Sequence, residues 1–219
     1  SIRKTNRFLN GIELKLKDLK IHGHNSISLI KTHDDGISFQ ATDLPDQAFS
    51  IEITTEINPK NNTSLEGLYI SNGMYCTQCE AEGFRKITYY LDRPDIMATF
   101  KVRVESNLPT KLSNGDKIDE GNGWAEWEDP WPKPSYLFAL VAGELQSIDY
   151  NFDTKSGRRV ILKIWVRKED INKCTFAMNA LKRSMLWDEV NYDREYDLSI
   201  FQIVAVDDFN MGAMENKGL

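Results

Sequence analysis

Three acceptor groups and a stretch of bare backbone carry the clearest chemical signal in this sequence. In Asn210-Met211-Gly212-Ala213-Met214-Glu215-Asn216, two small residues stand close before a carboxylate and an amide, following the apolar run Ile203-Val204-Ala205-Val206. A strand that ends this way offers main chain for a ligand to lie against, with a negative charge at its end. An extended peptide suits such an edge, because its backbone can add to the sheet while one side chain reads its terminus. Far upstream, Gln78 and Glu80 flank Cys79. If that tripeptide is extended, the two polar side chains project to one face with the thiol behind them, and folding could bring Glu215 to join them. One amide oxygen and two carboxylates match the three N–H donors of a primary ammonium group. A peptide α-amino group, with a pKa near ~7.7–8.0, is mostly cationic at pH 7. Partly desolvated, such a pairing is charge-assisted and stronger than a neutral hydrogen bond. On spacing alone, three solvated surface groups remain the plainer account.

Other chemistry-bearing residues combine less well. His22 and His24 are two apart and could in principle share a metal, but no carboxylate or cysteine nearby completes a ligand set, and His33 lies in a turn beside Asp34-Asp35-Gly36. Cys76-Thr77-Gln78-Cys79 has the C-x-x-C spacing. A redox pair wants a helix N-terminus after a strand, and a zinc site wants a second pair, whereas only Cys174 remains. Ordinary buried or loop cysteines are the expectation. No His-Glu-x-x-His occurs in the sequence. Asn61-Asn62-Thr63-Ser64 holds two overlapping glycosylation sequons, a pattern that arises often by chance.

The elements that must position these groups are mostly strands. Ile12, Leu14 and Leu16 alternate with Glu13 and Lys15, and Phe49 to Ile53 and Ala98 to Val104 repeat the period of two. Ser113-Asn114-Gly115-Asp116 signals a hairpin turn, Trp124 to Trp127 a further strand, and Tyr136 to Val141 a fully buried one. Many short strands separated by turns indicate an antiparallel sandwich or barrel. Near residue 143 the pattern changes. Ile148, Tyr150 and Phe152 are expected to pair with Val160, Leu162, Ile164 and Val166 across Thr154-Lys155-Ser156-Gly157. A helix follows, roughly Asn172 to Asp188, with Cys174, Met178, Leu181 and Met185 on one core-facing stripe. Ser199 to Val206 then forms a strand running into the opening stretch. The expected class is mainly β: a sandwich-like antiparallel domain over 1–143, then the opening hairpin, helix and strand of an α+β domain over 144–219.

Composition narrows the function. The chain has 219 residues, enough to bury one large core or two smaller ones, with 41% hydrophobic and 27% charged residues. A formal net charge of -6 without a basic cluster argues against nucleic-acid binding. No apolar run approaches the ~18 residues of a bilayer span, and no charged-then-apolar signal opens the chain. Three cysteines do not make a disulfide framework, so a reducing cytoplasm is the expected compartment.

Several stretches together resemble one family. Gly212-Ala213-Met214-Glu215-Asn216 resembles the G-A-M-E-N exopeptidase motif of the zinc metallo-aminopeptidases related to aminopeptidase N. Thr77 to Arg85, Tyr90 to Asp95, Pro130 to Pro134, Leu140 to Gly143, Lys182 to Glu189 and Val204 to Leu219 are similar, in order, to stretches of its bacterial-type members. The resemblance covers most of the chain from about Ile12 onward. It implies a β-sandwich N-terminal domain followed by a thermolysin-like catalytic domain, acting on peptides with a free N-terminal amine. Carried over by motif, Glu215 binds that amine and Gln78 and Glu80 assist. The Gly212-Ala213 backbone holds the peptide extended along an edge strand, Met211 lines the pocket for its first side chain, and Met214 and Asn216 belong to the same substrate-binding stretch.

The sequence also departs from the family pattern. It lacks the zinc-binding His-Glu-x-x-His, the zinc glutamate, the general base and the tyrosine that stabilises the transition state in that family. The expectation is a fragment: the amine-recognition half of an active site, with zinc held in the complete enzyme by ligands beyond Leu219 and the remaining domains on the same polypeptide. No catalytic residue and no metal ligand is expected among these 219 residues. A non-catalytic β-sandwich interaction module derived from such an enzyme is the alternative. A third reading, a bifunctional epoxide-lipid hydrolase, is disfavoured because those relatives tend to carry Gly where Ala213 stands.

Overall fold

The structure, a computed structural model, describes residues 8–219. They group into two compact units, one of residues up to Ile70 with Thr77–Ala98 and Lys133–Phe138, the other of Ser71–Cys76, Thr99–Pro132 and Ala139–Leu219. As expected, the chain is mainly β, with predominantly antiparallel sheets and one α-helix among the described residues.

The first unit is built from β1 (Phe8–Asn10), β2 (Lys15–Ile21), β3 (His24–Asn25), β4 (Ile30–His33), β5 (Gly36–Phe39), β6 (Ile51–Glu56) and β7 (Gly67–Ser71), which leads into β8 (Met74–Gln78). Two three-stranded antiparallel sheets form, in the orders β1-β5-β4 and β3-β2-β6. Leu9, Leu19, Ile21, Ile37, Phe39 and Tyr89 make its buried cluster. Fully burying such side chains stabilises by about 1.5–3 kcal/mol each. The alternation at Ile12–Leu16 predicts a strand three residues earlier than β2 begins. Glu13 sits at a φ of 58°, which takes this segment out of extended conformation. His22 also lies at positive φ, in the turn between β2 and β3, and both it and His24 are exposed. Among the described residues no group of three or more His, Cys, Asp or Glu could hold a metal ion.

In the second unit, β9 (Ala98–Glu105), β10 (Thr110–Ser113), β11 (Asp116–Gly121), β12 (Trp124–Lys133) and β13 (Leu140–Gly143) precede β14 (Gln146–Asp153) and β15 (Arg159–Val166). The helix α1 (Thr175–Tyr192) and β16 (Ile200–Val204) follow. β14 and β15 form the expected hairpin, with Phe152 opposite Val160, Tyr150 opposite Leu162 and Ile148 opposite Ile164. β16 lies parallel to β15 after the crossover through α1, because parallel neighbours cannot be joined by a tight turn. Val160, Leu162, Ile164 and Val166 on alternate positions of β15 meet Cys174, Met178, Leu181 and Met185, so the sulfur-rich helical stripe is core.

Two local expectations are corrected. The turn at Ser113–Asp116 exists, yet β10 pairs with β13 and β11 with β12, so it joins two sheets and closes no hairpin. The strand expected over Tyr136–Val141 is confined to β13, with a 3-10 turn at Ser135–Leu137 before it. Side chains occupy both backbone groups of Ala139: Ser113 Oγ donates to its carbonyl at 2.7 Å, and its N–H donates to Asn114 Oδ1 at 2.7 Å.

Candidate functional site

Gln78 is the last residue of β8, and the extended run expected through Glu80 stops there. The Gly83 N–H donates back to the Cys79 carbonyl at 2.8 Å and turns the chain. Glycine is needed at 83, since a Cβ would lie 2.5 Å from the Gln78 carbonyl oxygen. The Glu80–Ala81 peptide in this turn is cis. The two polar residues therefore differ in setting. Gln78 is 1% exposed, and neither its amide nitrogen nor its amide oxygen has a hydrogen-bond partner among the described residues. Glu80 is exposed and makes no ion pair among them.

What holds this turn is Asp92, 2% exposed, which accepts from the Arg85 N–H at 3.0 Å, from Arg85 Nε at 3.1 Å and from Ser135 Oγ at 2.6 Å. Arg85 also reaches the Asp92 carbonyl at 2.9 Å and Glu82 at 3.1 Å. Phe84 packs edge-on against Tyr90 and Phe138. Burial, with a smaller push from Asp92, raises the Cys79 thiol well above its ordinary value, so the residue between Gln78 and Glu80 is inert packing. Cys76 and Cys79 are both buried and form no disulfide, as ordinary core cysteines do.

The stretch around Glu215 belongs to the second unit. β16 ends at Val204, and the Ala205 N–H gives a last bond to the Trp165 carbonyl at 3.0 Å. The expected strand does not run on into Met211–Asn216, which has no regular structure. Its approach is drawn out of the ladder by side chains. Asp207 accepts from Arg167 at 2.8 Å and Asn72 at 3.1 Å, and Asp208 is bound to Ser71 twice, as backbone donor and as carboxylate acceptor, each at 2.9 Å. Met211, Gly212, Ala213 and Glu215 are exposed, and Met214 and Asn216 are half-buried. A Cβ on Gly212 would meet nothing within 4 Å, so the backbone there is open on one side. Glu215 makes no ion pair or side-chain hydrogen bond among the described residues.

Past the motif the chain is fixed again. Asn114 Nδ2 donates to the Lys217 carbonyl at 3.0 Å, and the Gln202 N–H donates to the Gly218 carbonyl at 3.2 Å. Lys217 pairs with Asp197 at 2.6 Å, and Gln202 Oε1 accepts from Trp165 Nε1 at 2.9 Å. Gly218, at a φ of 81°, approaches so closely that a Cβ would stand 2.9 Å from the Gly115 nitrogen. Ser71, Asp92, Asn114 and Gln202 were not singled out by the sequence as site-building residues. Asn114 lay in the Ser113–Asp116 turn signal, Asp92 in the Tyr90–Asp95 stretch of the resemblance and Gln202 in the expected last strand, none with an assigned role.

Comparison with known proteins agrees with the motif. Residues 6–137 match the Peptidase M1 N-terminal domain and residues 176–219 the Peptidase family M1 domain. The chain is 47% identical to Aminopeptidase N of Haemophilus influenzae, covering 98% of this chain and 26% of that protein. It is 48% identical to Aminopeptidase N of Escherichia coli, covering 96% and 25%. It thus spans about a quarter of the length of the curated relatives it matches. Among solved structures, aminopeptidase A of Legionella pneumophila in complex with aspartic acid superposes with a TM-score of 0.88 at 35% identity, over 96% of this chain and 26% of that one. Native yeast LTA4 hydrolase superposes at 0.76 with 19% identity, over 96% and 34%, a likeness of fold alone.

Proposed function

The chain belongs to peptidase family M1, and from that premise we propose that it is part of a zinc-dependent aminopeptidase, carrying the groups that recognise a peptide's free N-terminal amine. The observation that carries this reading is the unmet capacity of the three acceptors. Among the described residues, neither polar side-chain atom of buried Gln78 has a hydrogen-bond partner, and Glu80 and Glu215 make no ion pair. A buried amide with nothing to bond is costly, and its usual explanation is a missing ligand or water. An ammonium supplies three N–H donors, and amide oxygens and carboxylates are acceptors suited to them. Anchoring that group fixes the distance from the amine to the first peptide bond, and so limits cleavage to one residue at a time. Met211 is placed in this reading at the pocket for the first side chain, and the Gly212–Ala213 main chain lies beside the peptide.

The described residues do not themselves fit a zinc site. In this proposal the metal ligands and the general base come from the rest of a longer polypeptide, and the division near residue 143 separates a β-sandwich domain from the start of the catalytic one. The two family matches, ending at 137 and resuming at 176, support that division. A cytoplasmic setting is supported by three buried cysteines that form no disulfide. Among the described residues no helix is long and apolar enough to cross a membrane. The 219-residue chain alone is expected to leave an amino-acid anilide intact even with zinc added; zinc-dependent turnover by it would contradict the proposal. In the complete polypeptide, Glu215→Ala should raise KM and lower kcat together, because the anchor serves binding and orientation alike. Unchanged kinetics would remove Glu215 from the amine site.

A further inference from the structure

The segment carrying Glu215 is exposed, irregular and tied down at both ends by residues distant in sequence. At its start, Ser71 Oγ donates to the Asp208 carboxylate and accepts from the Asp208 N–H, both at 2.9 Å, and Ser71 is 1% exposed. At its end, Asn114, also 1% exposed, donates to the Lys217 carbonyl at 3.0 Å while its Oδ1 is locked onto the Ala139 N–H at 2.7 Å. Glu215 stands two residues before that carbonyl. A carboxylate on open chain samples positions several ångströms apart, whereas orienting an amine against a reacting bond requires placement within about 0.5 Å. Buried side chains with both hydrogen-bonding ends committed supply such a reference. The neighbouring Gly115–Gly218 contact prevents the turn from sliding past Asn114.

We propose that Ser71 and Asn114 are positioning residues for the Glu215 carboxylate, clamping the two ends of the loop that presents it. The proposal rests on the reading of Glu215 as the amine acceptor. Neither residue touches substrate in it. Asn114 acts through the Lys217 carbonyl and Ser71 through Asp208.

The test uses the complete polypeptide and two ligands with no bond to cleave, 1-aminoethylphosphonate and ethylphosphonate, which differ only in the amine. Their affinity ratio, from competitive inhibition, isolates amine recognition from overall fit. Asn114→Asp keeps the acceptor for Ala139 but sets an oxygen against the Lys217 carbonyl. It should cut the preference for the amine by about tenfold or more, as a small misplacement does, while ethylphosphonate binding stays within about twofold. Ser71→Ala, which deletes one oxygen at the other anchor, should act the same way and serves if Asn114→Asp fails to fold. Ratios unchanged in the variants, or both ligands weakened alike, would overturn the proposal. Glu215→Gln separates the two levels. If it abolishes the preference while the anchor variants keep it, only the positioning roles fall. If the preference survives it, the amine site fails and the positioning roles fall with it.

Discussion

Arg85 donates to Asp92 from its backbone N–H at 3.0 Å and from its Nε at 3.1 Å, and both bonds end on one carboxylate oxygen. The other oxygen takes the Ser135 hydroxyl at 2.6 Å. One buried carboxylate thereby closes the turn that leaves Gln78 and Glu80 where they are. Removing it as Asp92→Ala leaves a nearly buried guanidinium with only the residue 92 carbonyl and the exposed Glu82 as partners. A loss of about 3–5 kcal/mol is expected, the usual cost of breaking a buried pair from one side, read as a lower urea midpoint.

Gln78→Met should do the opposite to stability. It exchanges an amide with no partner among the described residues for an apolar side chain of similar length, relieving a desolvation cost of about 1–3 kcal/mol. Chemical unfolding of the 219-residue chain is expected to show a gain of that order. The same substitution should weaken binding of amine-bearing ligands to the complete polypeptide. A loss of stability would mean that an ordered water or another group already satisfies Gln78.

Alkaline pH should destabilise the fold through Cys79. Burial first and Asp92 second raise its thiol in the folded chain, while unfolded cysteine titrates near ~8.5. Below that pH both states hold the proton and stability is complete. Above it the unfolded chain releases a proton that the folded chain retains, so stability falls as pH rises. By pH 10 the loss from this group is about 2 kcal/mol. Tyr196, raised chiefly by burial, adds to it at higher pH. Urea midpoints measured between pH 8 and 10 should decline, and Cys79→Ala should flatten that decline.

The outer side of α1 predicts poor solubility of the chain alone. Phe176, Trp187 and Val190 are 76%, 54% and 73% exposed, with Leu186 and Tyr192 also exposed. Exposed apolar side chains in this number promote association. Replacing Phe176 and Val190 by Ser should reduce light scattering and dye binding while changing stability by no more than about 0.5 kcal/mol each.

Where apolar and polar residues alternate along the chain, the sequence was readable. The β14–β15 pairing follows from two converging alternations around Ser156-Gly157, and the helix from Met178, Leu181 and Met185, because period and burial are local properties. Strand β2 was misplaced because a positive φ at Glu13 leaves no mark in a charged side chain. Ser113–Asp116 was recognised as a turn, but which strands pair beyond it depends on partners far along the chain. The motif's residues were identifiable by type. Their anchoring was not, since Asn114 and Ser71 resemble ordinary turn residues until the carbonyl or carboxylate they hold is known. Gln78 was picked out as an acceptor, while its burial is a product of the fold.

The two compact units are interleaved along the polypeptide: the chain passes from one to the other after residues 70, 76, 98, 132 and 138. Neither unit is therefore a cassette. A recombination event or an engineered swap with one breakpoint cannot transplant either without carrying pieces of the other, so Ser71 and Asn114 must travel with the Glu215 segment they hold. A chimaera joined anywhere between residues 114 and 208 inherits the clamp from one parent and the clamped loop from the other. Such chimaeras should keep their folded cores yet lose amine selectivity whenever the parents' anchors differ. That makes breakpoint position, more than overall identity, the variable to control when such chains are shuffled.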